Sequence, residues 1–163
     1  MSKRILDTNV LLVADGKSTA ALACIRAAKS QLDDVQQQGG LVLDAGFLIL
    51  KEYGNKLSPL GPNTPGNAFL KWVLQNKANP LFCEQVPLET AEDGSFTAFP
   101  NDPALVGFDL SDRKFVATAL THPERPVIIN ATDTDWHHHR GALARNGAQV
   151  EFICPDEMTR TRS

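Results

Sequence analysis

Four acidic residues stand where acids are ordinarily avoided. In "RILDTNVLL" (4–12), Asp7 follows Ile5 and Leu6 at the end of a short apolar run. Asp is poor in strand interiors and rarely buried without a partner. Asp133 stands just past the apolar run "PVIINA" (126–131). In "SDRKFVATAL" (111–120), Phe115, Val116 and Ala119 lie three, four and seven residues after Asp112, the spacing of one helix face. Glu52 follows Leu48 and Ile49 by four and three residues, which sets it on or beside an apolar helix face. Carboxylates turned toward a core or a sheet rim need a compensating charge, and a divalent cation supplies one. Singly, each acid has a plainer role: Asp7 as the cap of a turn, Asp112 at a helix N-terminus, Glu52 on a solvated flank, Asp133 and Asp135 as an Asx-turn and a cap. The argument for a site rests on the four together.

Other chemistry-bearing stretches carry less. "DGKST" (15–19) ends like a phosphate-binding loop, but the full pattern needs Gly where Leu11 stands. "HHH" (137–139) cannot chelate one ion from a single helix, because consecutive side chains point about 100° apart; solvated first-turn residues are the default, with His137 the sharper candidate for a substrate phosphate. Arg113 and Lys114, with Arg140 and Arg145, could form the basic rim that an RNA backbone needs. Asp109 reads as the cap of the helix it precedes. Cys24, Cys83 and Cys154 are three in number and have no C-x-x-C spacing, which reads as unreactive thiols in a reducing compartment.

Elements that position these residues follow from the pattern. Residues 3–6, 41–45, 81–88, 126–131 and 149–154 read as strands. Helices are expected over 20–38, capped by Ser18 or Thr19 and stopped at Gly39-Gly40, and over 46–57, 68–78, 111–120 and 135–147. Residues 58–67 and 89–107 read as irregular. Strands alternating with helices argue for an α/β fold, three layers with a central, mostly parallel sheet flanked by helices. Ligands of such sheets bind beyond the carboxyl ends of the strands, the rim to which Asp7 and Asp133 belong. A chain of 163 residues is expected to be one domain, here 1–154 with a polar tail over 155–163. No run approaches the ~20 apolar residues of a membrane span, and the start does not read as a secretory signal; a cytoplasmic protein is expected. A net charge of −3 does not advertise a nucleic-acid binder, although the charge near a site matters more than the total.

"ILDTNVLL", "KEY" after the second strand, "SDRKFVATAL" and "ATDTDW" before a final helix and strand occur in an order that resembles the PIN domain over nearly the whole chain. That resemblance implies a metal-dependent nuclease, most often one acting on RNA, and in many members the toxin of a toxin–antitoxin pair. The family's four acids fall on Asp7, Glu52, Asp112 and Asp133, its polar supporting residue on Asn9, and Asp135 stands where an outer ligand or water-positioning acid is found. Ala131 occupies a position where Thr or Ser is frequent, and the segment 81–108 exceeds a minimal toxin. Such carboxylates suit one or two Mg²⁺ or Mn²⁺ ions, which lower the pKa of a bound water and neutralise charge on phosphate oxygens. Partners implied are an RNA substrate contacted by Arg113, Lys114, His137 and Arg140, an antitoxin protein if the chain is a toxin, and a second copy of the chain as a homodimer; a membrane is not implied. Two other classes compete. A non-catalytic PIN-like scaffold for RNA or protein would usually lack one of the acids. An aspartyl phosphotransfer domain would need a second Asp where Asn9 stands, or paired acids beside Asp7 with Asp44 as acceptor.

Overall fold

The computed structural model describes residues 2–159. Five strands form one sheet: β1 (Arg4–Leu6), β2 (Leu41–Asp44), β3 (Cys83–Val86), β4 (Val127–Asn130) and β5 (Val150–Phe152). Their order is β3-β2-β1-β4-β5, and every pairing is parallel. The central strands are apolar on both faces, with Ile5, Leu6, Leu41, Val42, Leu43, Ile128 and Ile129 buried, as a sheet covered by helices on both sides requires. The architecture is therefore the expected three-layer α/β/α arrangement.

Chain direction reverses its march across the sheet at β1. From β1 the chain steps outward to β2 and β3, then crosses back to lay β4 on the other side of β1. In the first half run α1 (Thr8–Ala14), α2 (Leu22–Gln38), α3 (Leu48–Lys56) and α4 (Pro65–Asn76), with α1 packed on the other three. The return crossover is α5 (Arg113–Thr121), lying against β2 and β4. Right-handed crossovers put the two groups on opposite faces. Two short helices, α6 (Thr134–His138) and α7 (Arg140–Arg145), join β4 to β5, and α8 (Pro155–Met158) follows. The gap between β1 and β4 is the switch point at which open parallel sheets bind ligands. Their carboxyl ends are stitched there by the Asp7 N–H, which donates to the Ile129 carbonyl at 3.0 Å.

Several local expectations change. The apolar run after Asp7, to which the sequence reading gives no element, forms α1, a helix that Asp7 caps. Helix α2 starts later than Ser18 or Thr19 would place it; its cap position is Ala21, whose N–H donates to Glu157 Oε1 at 3.0 Å. It ends as expected at Gly39-Gly40, both at positive φ, where a Cβ would lie 2.5 Å from the Leu81 carbonyl oxygen and 2.6 Å from that of Ser2. The single helix expected over 135–147 is broken at His139, which leaves helical geometry and turns its ring onto the Asp135 carbonyl. The "DGKST" acid, Asp15, is structural: its carboxylate accepts from Thr64 Oγ1 at 2.8 Å and from the Gly66 N–H at the start of α4. The expected polar tail begins with α8 over 155–158; its residues 160–163 lie outside the described residues. No helix among the described residues is long and apolar enough to cross a membrane.

The expectation of three free thiols is also corrected. Cys24 in α2 and Cys154 before α8 form a disulfide across 130 residues of sequence, leaving Cys83 buried and free. This bond ties the end of the chain to the first half of the fold. Closing so long a loop restricts the unfolded chain, a contribution of typically 2–4 kcal/mol. Reduction with dithiothreitol is therefore expected to lower the melting temperature by several degrees, and Cys24→Ala to remove that response. An unchanged melting curve on reduction would show that the pair is not bonded in solution.

Candidate active site

Helices of a parallel α/β fold run back against the strands, so their N-termini gather at the carboxyl rim. Three of the four acids sit at such starts and the fourth one turn in. Asp7 caps α1, Asp112 immediately precedes α5, Asp133 caps α6, and Glu52 is the fifth residue of α3. Helix N-termini carry positive partial charge and tolerate carboxylates there, and Cα–Cβ bonds tilt toward the N-terminus, which aims Glu52 back at the rim. Asp7 and Asp112 are nearly inaccessible, 3% and 6% exposed; Asp133 and Glu52 are half-buried.

The plain roles account for only part of this arrangement. Asp7 Oδ2 accepts from the Asn9 N–H at 3.0 Å and Asp133 Oδ1 from the Asp135 N–H at 3.0 Å, so both do cap. Asp112 makes no capping bond at all. Among the described residues, Asp7 Oδ1 and Asp112 Oδ2 are buried without a hydrogen-bond partner, a costly state for a carboxylate. Electrostatics show the same strain. Burial, followed by the charges of Asp7 and Asp133, pushes the Asp112 carboxyl up to about 9. Burial raises Asp7 to about 7, opposed by the Asn9 N–H and raised further by Asp133 and Glu52. Burial raises Asp133 too, against the N–H of Asp135 and a hydrogen bond with Asp112.

Neighbouring groups hold these acids in place. Asn9 Nδ2 donates to Asp7 Oδ2 and, at 2.7 Å, to Asn130 Oδ1, while Asn9 Oδ1 accepts from the Ala131 N–H at 2.9 Å. Asn130 is wholly buried, accepts from the Asp133 N–H at 3.3 Å and donates to the Asp133 carbonyl at 3.0 Å. The two amides thus lock the end of β1 to the end of β4. Tyr53 lies behind Asp7 and donates its hydroxyl to the Leu6 carbonyl at 2.5 Å. Glu52 accepts from Thr8 Oγ1 and is paired with Lys114, whose Nζ stands 2.7 Å from Oε1.

The other residues singled out in the sequence have varied placements. Asp135 spans the rim: Oδ2 accepts from the Asp109 N–H at 3.0 Å and Oδ1 faces His139 Nδ1 at 3.2 Å. Asp109 caps the 3-10 turn at 110–112. Arg113 does not face the acids; its guanidinium donates to the carbonyls of Leu105, Val106 and Phe108 and lies over the Phe99 ring. His137 packs edge-on against Phe152, and Arg140 is exposed, donating to the His137 carbonyl at 2.7 Å. Asp44 is buried with its two oxygens taken by the Leu48 and Ile49 N–H groups, so it caps α3 and offers nothing to a phosphoryl group. Asn130, Thr8 and Tyr53 were not singled out. Asn130 alone had a readable signal, a polar residue closing an apolar strand run.

The donor set fits a hard divalent cation in kind: oxygen ligands only, two of them orphaned. In the arrangement seen, however, no three His, Cys, Asp or Glu side chains among the described residues close on a single ion-sized point, and the nearest positive charge is that of Lys114. Set against protein-family models, curated proteins and solved structures, the chain matches none.

A raised carboxyl binds its proton more tightly folded than unfolded, so stability is lost as pH climbs from the ordinary carboxylate range, near 4, toward the folded values of about 7 and about 9 for Asp7 and Asp112. The metal-free protein is therefore expected to lose stability between pH 5 and 9 relative to Asp112→Asn. At pH 8 that variant should melt at least about 3 °C higher, the shift produced by ~1 kcal/mol in a chain of this size. Melting curves in EDTA across this range check it; a variant no more stable than wild type at pH 8 would show that Asp112 is not a strained acid.

Proposed function

We propose that the chain is a divalent-metal-dependent endoribonuclease of the PIN-domain type. The observation that carries this reading is Asp112, a buried carboxylate with no capping role and an unpartnered oxygen, crowded against Asp7 and Asp133 at the switch point of the sheet. The order of motifs along the chain supports it. A bound Mg²⁺ or Mn²⁺, one ion or two, would supply a water of lowered pKa and would offset the charge that gathers on the phosphate oxygens.

Asp7, Asp112 and Asp133 would hold that ion, with Glu52 as the fourth acid. Asn9 keeps Asp7 turned toward the rim by holding Oδ2, leaving Oδ1 free. Asp135 fixes the loop before α5 to α6 and so sets the spacing of Asp112 and Asp133. Lys114, paired with Glu52, would meet a backbone phosphate. With few cations near the rim, the favoured substrate is single-stranded or looped RNA rather than a duplex. If the enzyme is a toxin, a partner would cover the rim, most simply by placing an Arg among the acids. The Cys24–Cys154 bond runs against the reducing compartment expected from the sequence, because disulfides persist in oxidising surroundings.

The ion pair between Lys114 and Glu52 favours a second reading, a PIN-like scaffold that binds RNA without cutting it, because an internal cation already answers one of the acids. One experiment separates the two. With an unstructured oligoribonucleotide, the nuclease is expected to cleave in Mg²⁺ or Mn²⁺ and not in EDTA. Asp112→Asn should lose more than about 100-fold in rate, and Asn9→Ala, which removes a supporting partner, roughly 10–100-fold. RNA bound but uncut with either metal would establish the scaffold; full cleavage in EDTA would remove both.

A further inference from the structure

The long segment between β3 and α5 builds a groove that runs up to Glu52. Residues 89–97 fold into a tight hairpin: Thr90 and Phe96 pair antiparallel, the Ala91 N–H donates to the Ser95 carbonyl at 2.8 Å, and the Thr97 N–H to that of Glu89 at 3.0 Å. Asp93 braces the tip by accepting from the Ser95 N–H and hydroxyl. The base of this strap is pinned by Phe99, which stacks on Phe108 at 6.0 Å and lies under the Arg113 guanidinium at 4.6 Å. Arg113 in turn holds the carbonyls of Leu105, Val106 and Phe108.

Two concavities result. One, of about 250 Å³, is lined by Glu52, Lys114 and Lys51. The other, of about 680 Å³, is lined by the strap and by Arg113. They adjoin across Phe96 and Leu110, which line both. Leu110 is 76% exposed although it lies two residues before Asp112; a single exposed Leu is unremarkable, but this one shares with a half-buried aromatic ring, Phe96, the lining of a concavity that also holds Glu52. Although the chain is net acidic, the two concavities bring three cations, Lys51, Lys114 and Arg113, against two carboxylates, Glu52 and Asp93. An aromatic and an aliphatic surface side by side, cations along the path and a size within the ~300–1,000 Å³ of small-ligand pockets describe what a single-stranded nucleic acid requires: a face for a base and charge for its backbone.

We infer that this groove is a stacking subsite for an unpaired nucleotide beside the scissile phosphate, its base against Phe96 and Leu110. The inference rests on the nuclease reading for the word scissile only; the subsite itself is a binding property. A base within a duplex is already stacked on its neighbours and cannot enter. Arg113 is a positioning residue of this subsite, acting through the strap it anchors.

Two measurements test it independently. Phe96→Trp places a reporter in the groove, read as the difference from wild type, whose own Trp72 and Trp136 are partly and wholly buried. Oligouridylate should quench that difference signal saturably, and a self-complementary RNA duplex should not. In cleavage assays Phe96→Ala and Leu110→Ser should each raise KM about tenfold, the cost of one lost stacking contact, and Phe96→Trp should restore it. Quenching by oligouridylate from an enzyme that cuts nothing would keep the subsite and retire the nuclease reading. Cleavage with KM unmoved in both variants, no quenching, or equal quenching by the duplex would overturn the subsite.

Discussion

Like charges forced together out of water are the constraint around which this molecule is arranged. Burial is the largest cause raising the carboxyls of Asp7, Asp112 and Asp133, and the charges of neighbouring acids raise them further. Three kinds of compensation surround them. Helix N-termini put N–H groups and partial positive charge under Asp7 and Asp133. Lys114 reaches across from α5 to Glu52. Protons answer what remains, which is why the carboxyls of Asp7 and Asp112 titrate so high.

Sheet topology makes the crowding possible. Because the chain reverses direction across the sheet at β1, the loops leaving β1 and β4 part to opposite faces and leave a cleft between them. Asp7 and Asp133 stand at its two sides, and the amides of Asn9 and Asn130 bridge it. Helix α5 belongs to the crossover that passes from β3 to β4, so its start, with Asp112, must come to the same rim. The site is thus a consequence of strand order rather than of any local motif.

The segment between β3 and α5 has a different logic. Some of its apolar residues hold its shape: Phe99 stacks on Phe108, Phe108 packs on Trp136, and Arg113 lies over the Phe99 ring and donates to the Phe108 carbonyl. A loop of this length without such anchors would lose much of its order to conformational entropy. Anchored, it leaves Leu110 exposed and Phe96 half-buried beside Glu52. The same economy appears at the other end of the molecule, where the Cys24–Cys154 bond and Glu157 secure the start of α2.

The sequence by itself determined the fold class and the candidate acids. Alternating apolar runs and helical spacings are local periodicities, and Gly39-Gly40 is a local stop, so the five strands and the main helices could be placed from neighbours alone. Asp7, Glu52, Asp112 and Asp133 were legible as acids on the wrong side of their elements. What lay beyond reach depends on pairs far apart in the chain. The apolar run after Asp7 reads equally as strand or helix until the strand's partners end at Leu6. Arg113 and Lys114 are adjacent and alike in charge, yet α5 turns one to the strap and the other to Glu52, a difference set by packing. The bond between Cys24 and Cys154 follows from where two distant ends meet. Whether a buried carboxylate is capped, paired or orphaned is a matter of which donors the fold brings near it, and only the tertiary structure shows that Asp112 Oδ2 lacks a partner while both oxygens of Asp44 have one.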